Sequence, residues 1–178
     1  MAVLFRTATL NDVPMLHALI ADSVWGLSRS DYTDPQIEAA LESAWGVDSQ
    51  LIRDGTYFAA EYGGKAIACG GWSFRRTLFG GDAQAGRHPE ALDPARDAAR
   101  IRAFFVDPAW ARRGLGREML EHCERNARAH GFLSAELVAT LPGERLYRAC
   151  GYVSQGPREY ALPRNQTIIF VPMRKEPL

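Results

Sequence analysis

Apolar and polar residues follow two periods along this chain, and the points where the period changes outline an alternation of strands and helices. Ala2–Arg6 reads as an opening strand. Thr9 can cap a helix whose apolar positions Val13, Leu16, Leu19, Ile20 and Val24 recur at helical spacing. Residues 26–34 form a polar connection, Asp34-Pro35 starts a second helix through Ile37 and Leu41, and residues 48–54 form a short helical piece stopped by Gly55. Thr56–Tyr62 and Lys65–Arg76 read as a hairpin around Gly63-Gly64. A strand at 100–106, a helix at 114–130, a strand at 133–139, a helix at 143–150 and a final hairpin through Val153 and Ile168–Val171 complete the pattern. The stretch 77–98, with turn signals at Gly80-Gly81 and Asp93-Pro94, is long for a connection inside a compact domain, so it is either functional or mobile. No repeat, linker or low-complexity segment divides the chain, and one α/β domain over 1–178 is the expected organisation.

The chemistry concentrates where the strand at 100–106 turns into the next helix. After Asp107-Pro108-Ala109-Trp110-Ala111 come Arg112, Arg113, Gly114, Leu115, Gly116 and Arg117. Two glycines let the backbone approach a ligand, and the first N–H groups of a helix have no partner within it. With the positive end of the helix dipole and three arginines, this is an anion cradle suited to a pyrophosphate. Further along the helix, Glu118/His122, Glu121/Arg125 and Glu124/Arg128 stand four apart and read as a self-paired solvent face. A dinucleotide fingerprint fails because position 119, where it needs a third glycine, is Met119. A Walker-type loop fails for want of Gly-Lys-Ser/Thr.

A strand, x-x-Gly-x-Gly, an amphipathic helix, a second strand and then Leu146-Tyr147-x-x-x-Gly151-Tyr152 resembles the GCN5-related N-acetyltransferases. The likeness covers about 98–153, with a looser match at Phe5-Arg6-Thr7-Ala8-Thr9-x-x-Asp12. One position departs from the pattern: Ala111 stands where that family usually has Gln or Arg, and Arg112 and Arg113 are the nearest replacements for the charge. The resemblance implies a GNAT-like mixed, mostly antiparallel central sheet flanked by helices. It implies an acetyl-CoA-dependent N-acetyltransferase acting on a primary amine, with direct attack in a ternary complex preferred because no activated nucleophile is visible. The cofactor-binding core would be about 98–153, with the pantetheine arm beside Phe104, Phe105 and Val106, where a bulge and splayed strands free backbone groups. Tyr147 would give a proton to the departing sulfur; its other reading is a tyrosine packed on a helix's inner face. The acceptor side would be built from about 24–56 and 72–98, and a homodimer is the family habit.

Composition narrows the partners. The 178-residue chain has a net charge of zero and 24% charged residues, so no global field draws nucleic acid or an anionic membrane to it. No apolar run is long enough to span a bilayer and the first residues lack a signal-peptide pattern, which makes cytoplasmic the default expectation. The three cysteines, Cys69, Cys123 and Cys150, are widely spaced and fit reduced, buried thiols. The four histidines form no metal-ligand grouping, and no metal is expected.

On the acceptor side, Asp31, Tyr32, Trp72 and Arg75 are the candidates, with Trp25, Ser28, Arg76 and Phe79 nearby. Tyr32 beside Asp31 fits an amine pocket or an Asp-stabilised turn equally well. Trp25 and Trp72 fit core packing better than substrate contact. Arg75 and Arg76 suit either an acidic group on the acceptor or a solvated hairpin end. Asp31, Glu61, Asp97 and Glu136 could each serve as a base, and none is singled out. A small-molecule amine is preferred to a protein. The rival reading is an acyl-CoA-binding sensor that acts through a partner without turnover.

Overall fold

The computed structural model describes residues 2–178. It contains β1 (Leu4–Thr7), α1 (Val13–Leu27), α2 (Asp34–Leu41), α3 (Ser49–Arg53), β2 (Tyr57–Tyr62), β3 (Lys65–Ser73), β4 (Ala99–Val106), α4 (Leu115–Ala129), β5 (Ala135–Thr140), α5 (Glu144–Ala149), β6 (Val153–Ser154), β7 (Arg158–Leu162) and β8 (Gln166–Lys175). All the strands join one eight-stranded sheet in the order β1-β2-β3-β4-β5-β8-β6, with β7 also paired to β8. Every pairing is antiparallel except β4 with β5, which α4 connects as a crossover. The fold is thus the mixed, mostly antiparallel sheet flanked by helices that the sequence suggests. No helix among the described residues is long and apolar enough to cross a membrane.

Two apolar layers cover the sheet. On one face α4 buries Leu115, Met119, Leu120, Cys123 and Ala127 against Ile67, Ile101 and Leu137. On the other, α1 and α2 bury Leu16, Ile20, Val24, Ile37 and Ala40 against Tyr57, Cys69 and Phe170. Each fully buried Leu or Ile contributes about 1.5–3 kcal/mol, so these stripes fix the helices to the sheet. Thr9 caps a single 3₁₀ turn (Leu10–Asp12) rather than α1 itself, and α1 follows with Pro14 in its first turn. Thr33 caps α2 through a reciprocal pair with Gln36.

The end of the chain differs from the sequence expectation. The final hairpin is β7 with β8 around Pro163–Asn165, and Val153 belongs to a two-residue strand farther along β8. The missed β7 is an edge strand, its residues mostly exposed, so it carries little apolar signal. The 77–98 connection has no regular strand or helix, yet it is tied down at several points. Thr77 and Arg76 donate their N–H groups to the His88 and Glu90 carbonyls, both at 2.9 Å, and Leu92 donates to Phe74 O at 2.8 Å. Asp82 accepts from Ser49 N at 3.0 Å. It forms a strap.

β4 and β5 pair only at Ala99/Ala135 and Arg100/Glu136, after which β5 turns to β8 for its partners. Between Cys69/Phe105 and Gly71/Arg102, β4 carries one residue more than β3, and the bulge places Ala103 at φ +57°. Tyr32 spans the far side of the parting: its hydroxyl donates to Ile169 O at 2.8 Å and accepts from Leu141 N at 2.8 Å. Tyr32→Phe leaves both backbone groups without that partner and is expected to lower unfolding free energy by about 1–2 kcal/mol. Urea denaturation checks this; an unchanged midpoint would show that water replaces the hydroxyl at no cost.

Candidate active site

Where β4 and β5 part, a cavity of about 490 Å³ opens between them, lined from both faces of the sheet. Its α4 end is made by Ala111, Arg112, Gly114, Leu115, Gly116 and Arg117. Gly114 caps α4 in the left-handed region at φ +86°, a conformation that any side chain would strain. A Cβ on Gly116 would lie 3.1 Å from Leu146 Cδ2, so this glycine lets α4 stand close to α5. Arg112, Arg113 and Arg117 are exposed, and none of them pairs with a carboxylate among the described residues. Arg113 stacks on Trp110 at 5.0 Å and does not border the cavity. The unpartnered N–H groups and free guanidinium charges form a site of strongly positive potential.

The middle of the cavity is bounded by Phe104, Phe105 and Val106 on β4 and by Tyr147 on α5. Val106 donates its N–H to Ser23 Oγ at 3.1 Å, so one of the backbone donors of the parted strand is held by a side chain from α1. Tyr147 packs edge-on to Phe104 and Tyr152, with ring centroids 6.3 and 5.9 Å away. Burial pushes its phenol pKa up, with Cys123 and Cys150 adding to the shift, so the hydroxyl keeps its proton through the ordinary assay range. No protein group among the described residues hydrogen-bonds that hydroxyl.

The third part, toward α1 and α2, is walled by Trp45, Phe79, Phe170 and the Gly80-Gly81 segment of the strap. Gly81 backs directly on Gly46, where an added Cβ would stand 2.8 Å from a backbone carbon. Into this part comes Arg102, whose side chain is 2% exposed. Its Nη2 donates to Gly80 O at 2.5 Å and lies 2.6 Å from Asp48 Oδ2, an ion pair whose angle falls short of a good hydrogen bond. Asp48 is fully buried and also accepts from Arg87 Nη2 at 2.8 Å and from Gln50 N at 3.1 Å. Burial lowers the Arg102 pKa to about 10, with Asp48 opposing and Arg87 reinforcing the shift; the group stays cationic at neutral pH.

Of the residues singled out in the sequence, the cavity gathers Phe104, Phe105, Val106, Arg112, Gly114, Leu115, Gly116, Arg117 and Tyr147, and also Ser28 and Phe79. The acceptor-side candidates Asp31, Tyr32, Trp72 and Arg75 do not border it. Asp31 is exposed and bonded to Ser30, and Tyr32 is the buried strut described above. Trp72 is fully buried among Phe74, His130 and Phe132 on the α4 face. Arg75 grips Asp54 through two bonds of 2.6 and 2.7 Å. The four carboxylates considered as bases are elsewhere too: Glu61 binds Arg6, Asp97 accepts from Asp93 N, and Glu136 pairs with Arg100 and Arg174. No Asp, Glu or His borders the cavity among the described residues. Sequence reasoning missed Ser23, Trp45, Phe170 and Arg102. Only Arg102 left a signal, as a charge inside an apolar strand.

A family model described as the acetyltransferase (GNAT) family matches residues 19–152. No curated protein gives a significant match. Among solved structures, a GCN5-related N-acetyltransferase (aminotransferase, class II) from Rhodopseudomonas palustris superposes with a TM-score of 0.72 at 18% identity, covering 99% of this chain and 96% of that one. The PaiA N-acetyltransferase of Thermoplasma acidophilum, in complex with coenzyme A, gives 0.66 at 12% identity over 99% of both chains. The ribosomal-protein-S18-alanine N-acetyltransferase of Escherichia coli gives 0.61 at 15% identity, covering 98% of this chain and 94% of that one. At such identities the likeness is one of fold.

Asp48→Asn removes the one carboxylate that Arg102 and Arg87 share and leaves two buried or half-buried cations facing each other. It is expected to cost about 3 kcal/mol of stability. Chemical denaturation measures it, and a loss below about 0.5 kcal/mol would mean that the pair is screened as a surface bridge would be.

Proposed function

Because this chain belongs to the acetyltransferase (GNAT) family of acyltransferase enzymes, we propose that it moves an acetyl group from acetyl-CoA to a primary amine of a small molecule, by direct attack with both substrates bound. The observation that carries this reading is the continuity of the cavity: a cationic helix terminus at one end, the parted strand and Tyr147 in the middle, and an aromatic chamber beyond. We read residues 1–178 as one acetyltransferase domain.

Acetyl-CoA supplies an activated thioester, and its pyrophosphate suits the α4 terminus. There the N–H groups of Leu115, Gly116 and Arg117, together with Arg112 and Arg113, offer directed donors and charge. Ala111 contributes no side-chain donor, so the exposed guanidiniums on either side of Gly114 carry that load. Phe104, Phe105 and Val106 flank the arm that reaches toward the chamber. Tyr147 holds a phenolic proton next to that path, and burial keeps the proton on the hydroxyl, so position and protonation state place it to protonate a departing thiolate.

No side chain in the cavity is an activated nucleophile. Cys69 and Cys123 are sealed in the two cores, burial raising the Cys69 thiol to about 12, and half-buried Cys150 does not border the cavity. This favours direct attack over an acyl-enzyme. The strap closing over the chamber favours a compact acceptor.

Two measurements test the reading. Replacing Arg112 and Arg117 together by Ala should weaken acetyl-CoA binding by about tenfold or more and flatten its salt dependence, as followed by calorimetry. Tyr147→Phe should bind acetyl-CoA as tightly as the parent but lower kcat about 100-fold. In the parent, Tyr147 loses its proton only at high pH, so no loss of rate from this group is expected below about pH 10. Equal turnover of Tyr147→Phe at all pH values would remove the acid role. Tight binding without thiol release across a broad amine panel would favour a sensor.

A further inference from the structure

The chamber that receives the acceptor contains a buried cation and no acid. Arg102 and Arg87 share Asp48, so the cluster keeps one positive charge in excess at a place where water is scarce. Arg102 spends only Nη2 on protein acceptors. Its Nε is sealed without a partner; Nη1 has no protein acceptor and is not sealed, and Arg102 lines the cavity, so Nη1 is the donor left for a ligand. A guanidinium with spare donors in such a site is stabilised by an anion and penalises a second cation. Around it stand Trp45, Phe79 and Phe170, with Phe79 and Trp45 each about one ring contact from Phe170 (6.0 and 6.1 Å between centroids). Arg102 is the one charged group of this part, and Ser28 and the Gly80-Gly81 backbone are the other polar groups beside a mainly apolar lining.

We propose that the acceptor is an amino acid with an apolar side chain, its carboxylate bound by Arg102 and its side chain resting on the Trp45–Phe79–Phe170 wall. The inference rests on the acetyltransferase reading and narrows it to a substrate class. Polyamines and lysine side chains are disfavoured by the same charge, because their distant ammonium groups would find no carboxylate in the chamber. Arg75, one of the two arginines that the sequence offered for an acidic acceptor group, is unsuited to it because Asp54 holds it in a two-bond clamp. Arg102 is therefore a substrate-binding residue and not a general base.

The test compares matched acceptors on the full-length protein, following thiol release from acetyl-CoA. L-phenylalanine and L-leucine are each set against the corresponding decarboxylated amine and carboxamide, with spermidine as the cationic control. The carboxylate-bearing members should give kcat/KM at least about tenfold higher, chiefly through KM, as loss of a charge-assisted bond requires. Arg102→Gln should erase that preference. Arg102→Met, which keeps the Asp48–Arg87 pair and puts an apolar side chain in the space, should do the same if the glutamine variant fails to fold. Equal or better use of the amine, the amide or spermidine overturns the inference and leaves the acetyltransferase reading intact. So does release with neither amino acid while acetyl-CoA still binds by calorimetry. Absence of acetyl-CoA binding overturns both.

Discussion

The structure depends on how two parallel strands are allowed to separate. β4 and β5 share two residue pairs and then part, which strips backbone N–H and C=O groups of their ladder partners in the middle of the protein. Buried backbone groups must be paired, so the gap exists only because other groups take over. β5 finds a full antiparallel ladder with β8. Ser23 from α1 accepts the Val106 N–H, and Tyr32 both accepts and donates across the Leu141–Ile169 side. The bulge at Ala103 turns β4 away while leaving it paired with β3. Residues from three separate stretches thus hold open a cavity that none of them would suggest alone.

Charge is arranged along this gap with the same economy. At one end the positive charge is exposed: arginines on a helix terminus, unpaired with any carboxylate among the described residues. At the other it is buried and fixed: Arg102 clamped between Asp48 and the Gly80 carbonyl. The first suits affinity and attraction over distance, and is screened by salt. The second suits discrimination, because a guanidinium with little water around it distinguishes strongly between an anion, a neutral group and a cation. The strap at 77–98 serves the second. Through Arg87, Asp82 and Gly80 it is tied to Asp48, Ser49 and Arg102, so its placement and that of the buried charge are one event.

Legibility in the sequence follows locality. The α4 cradle was readable because all its parts, a strand, a turn, two glycines and a helix, lie within about twenty contiguous residues and each has its own local signature. The apolar stripes of α1 and α4 were readable for the same reason: Leu16, Leu19 and Ile20, or Leu115, Met119 and Cys123, are near neighbours in sequence and in space. The aromatic chamber at the other end of the cavity was not. Trp45, Phe79, Arg102 and Phe170 meet only after the sheet is assembled; Trp72 is packed in the core as its sequence context favours, and Tyr32 fitted a pocket or a turn equally because the sequence does not say which way a side chain turns. β7 escaped because a five-residue edge strand that opens on Arg158-Glu159 and turns only Tyr160 and Leu162 inward is too short to show a clear alternation.

The Asp48–Arg102 pair is hard to explain by stability alone. Two apolar residues of similar volume would fill the same space without the desolvation that a buried ion pair incurs, and such replacements are often neutral or favourable. Here the arrangement is costlier still, since Arg102 keeps a sealed Nε without an acceptor and Asp48 must serve two arginines. A pair with only a structural role has no need of a cavity beside it. This one stands at the mouth of the parted strands, where β4 has passed its last contact with β5 and bends at the Ala103 bulge. An unsatisfied charge is tolerable at such a place when a transient occupant can complete it. The energetic deficit of the free protein then becomes selectivity for what binds.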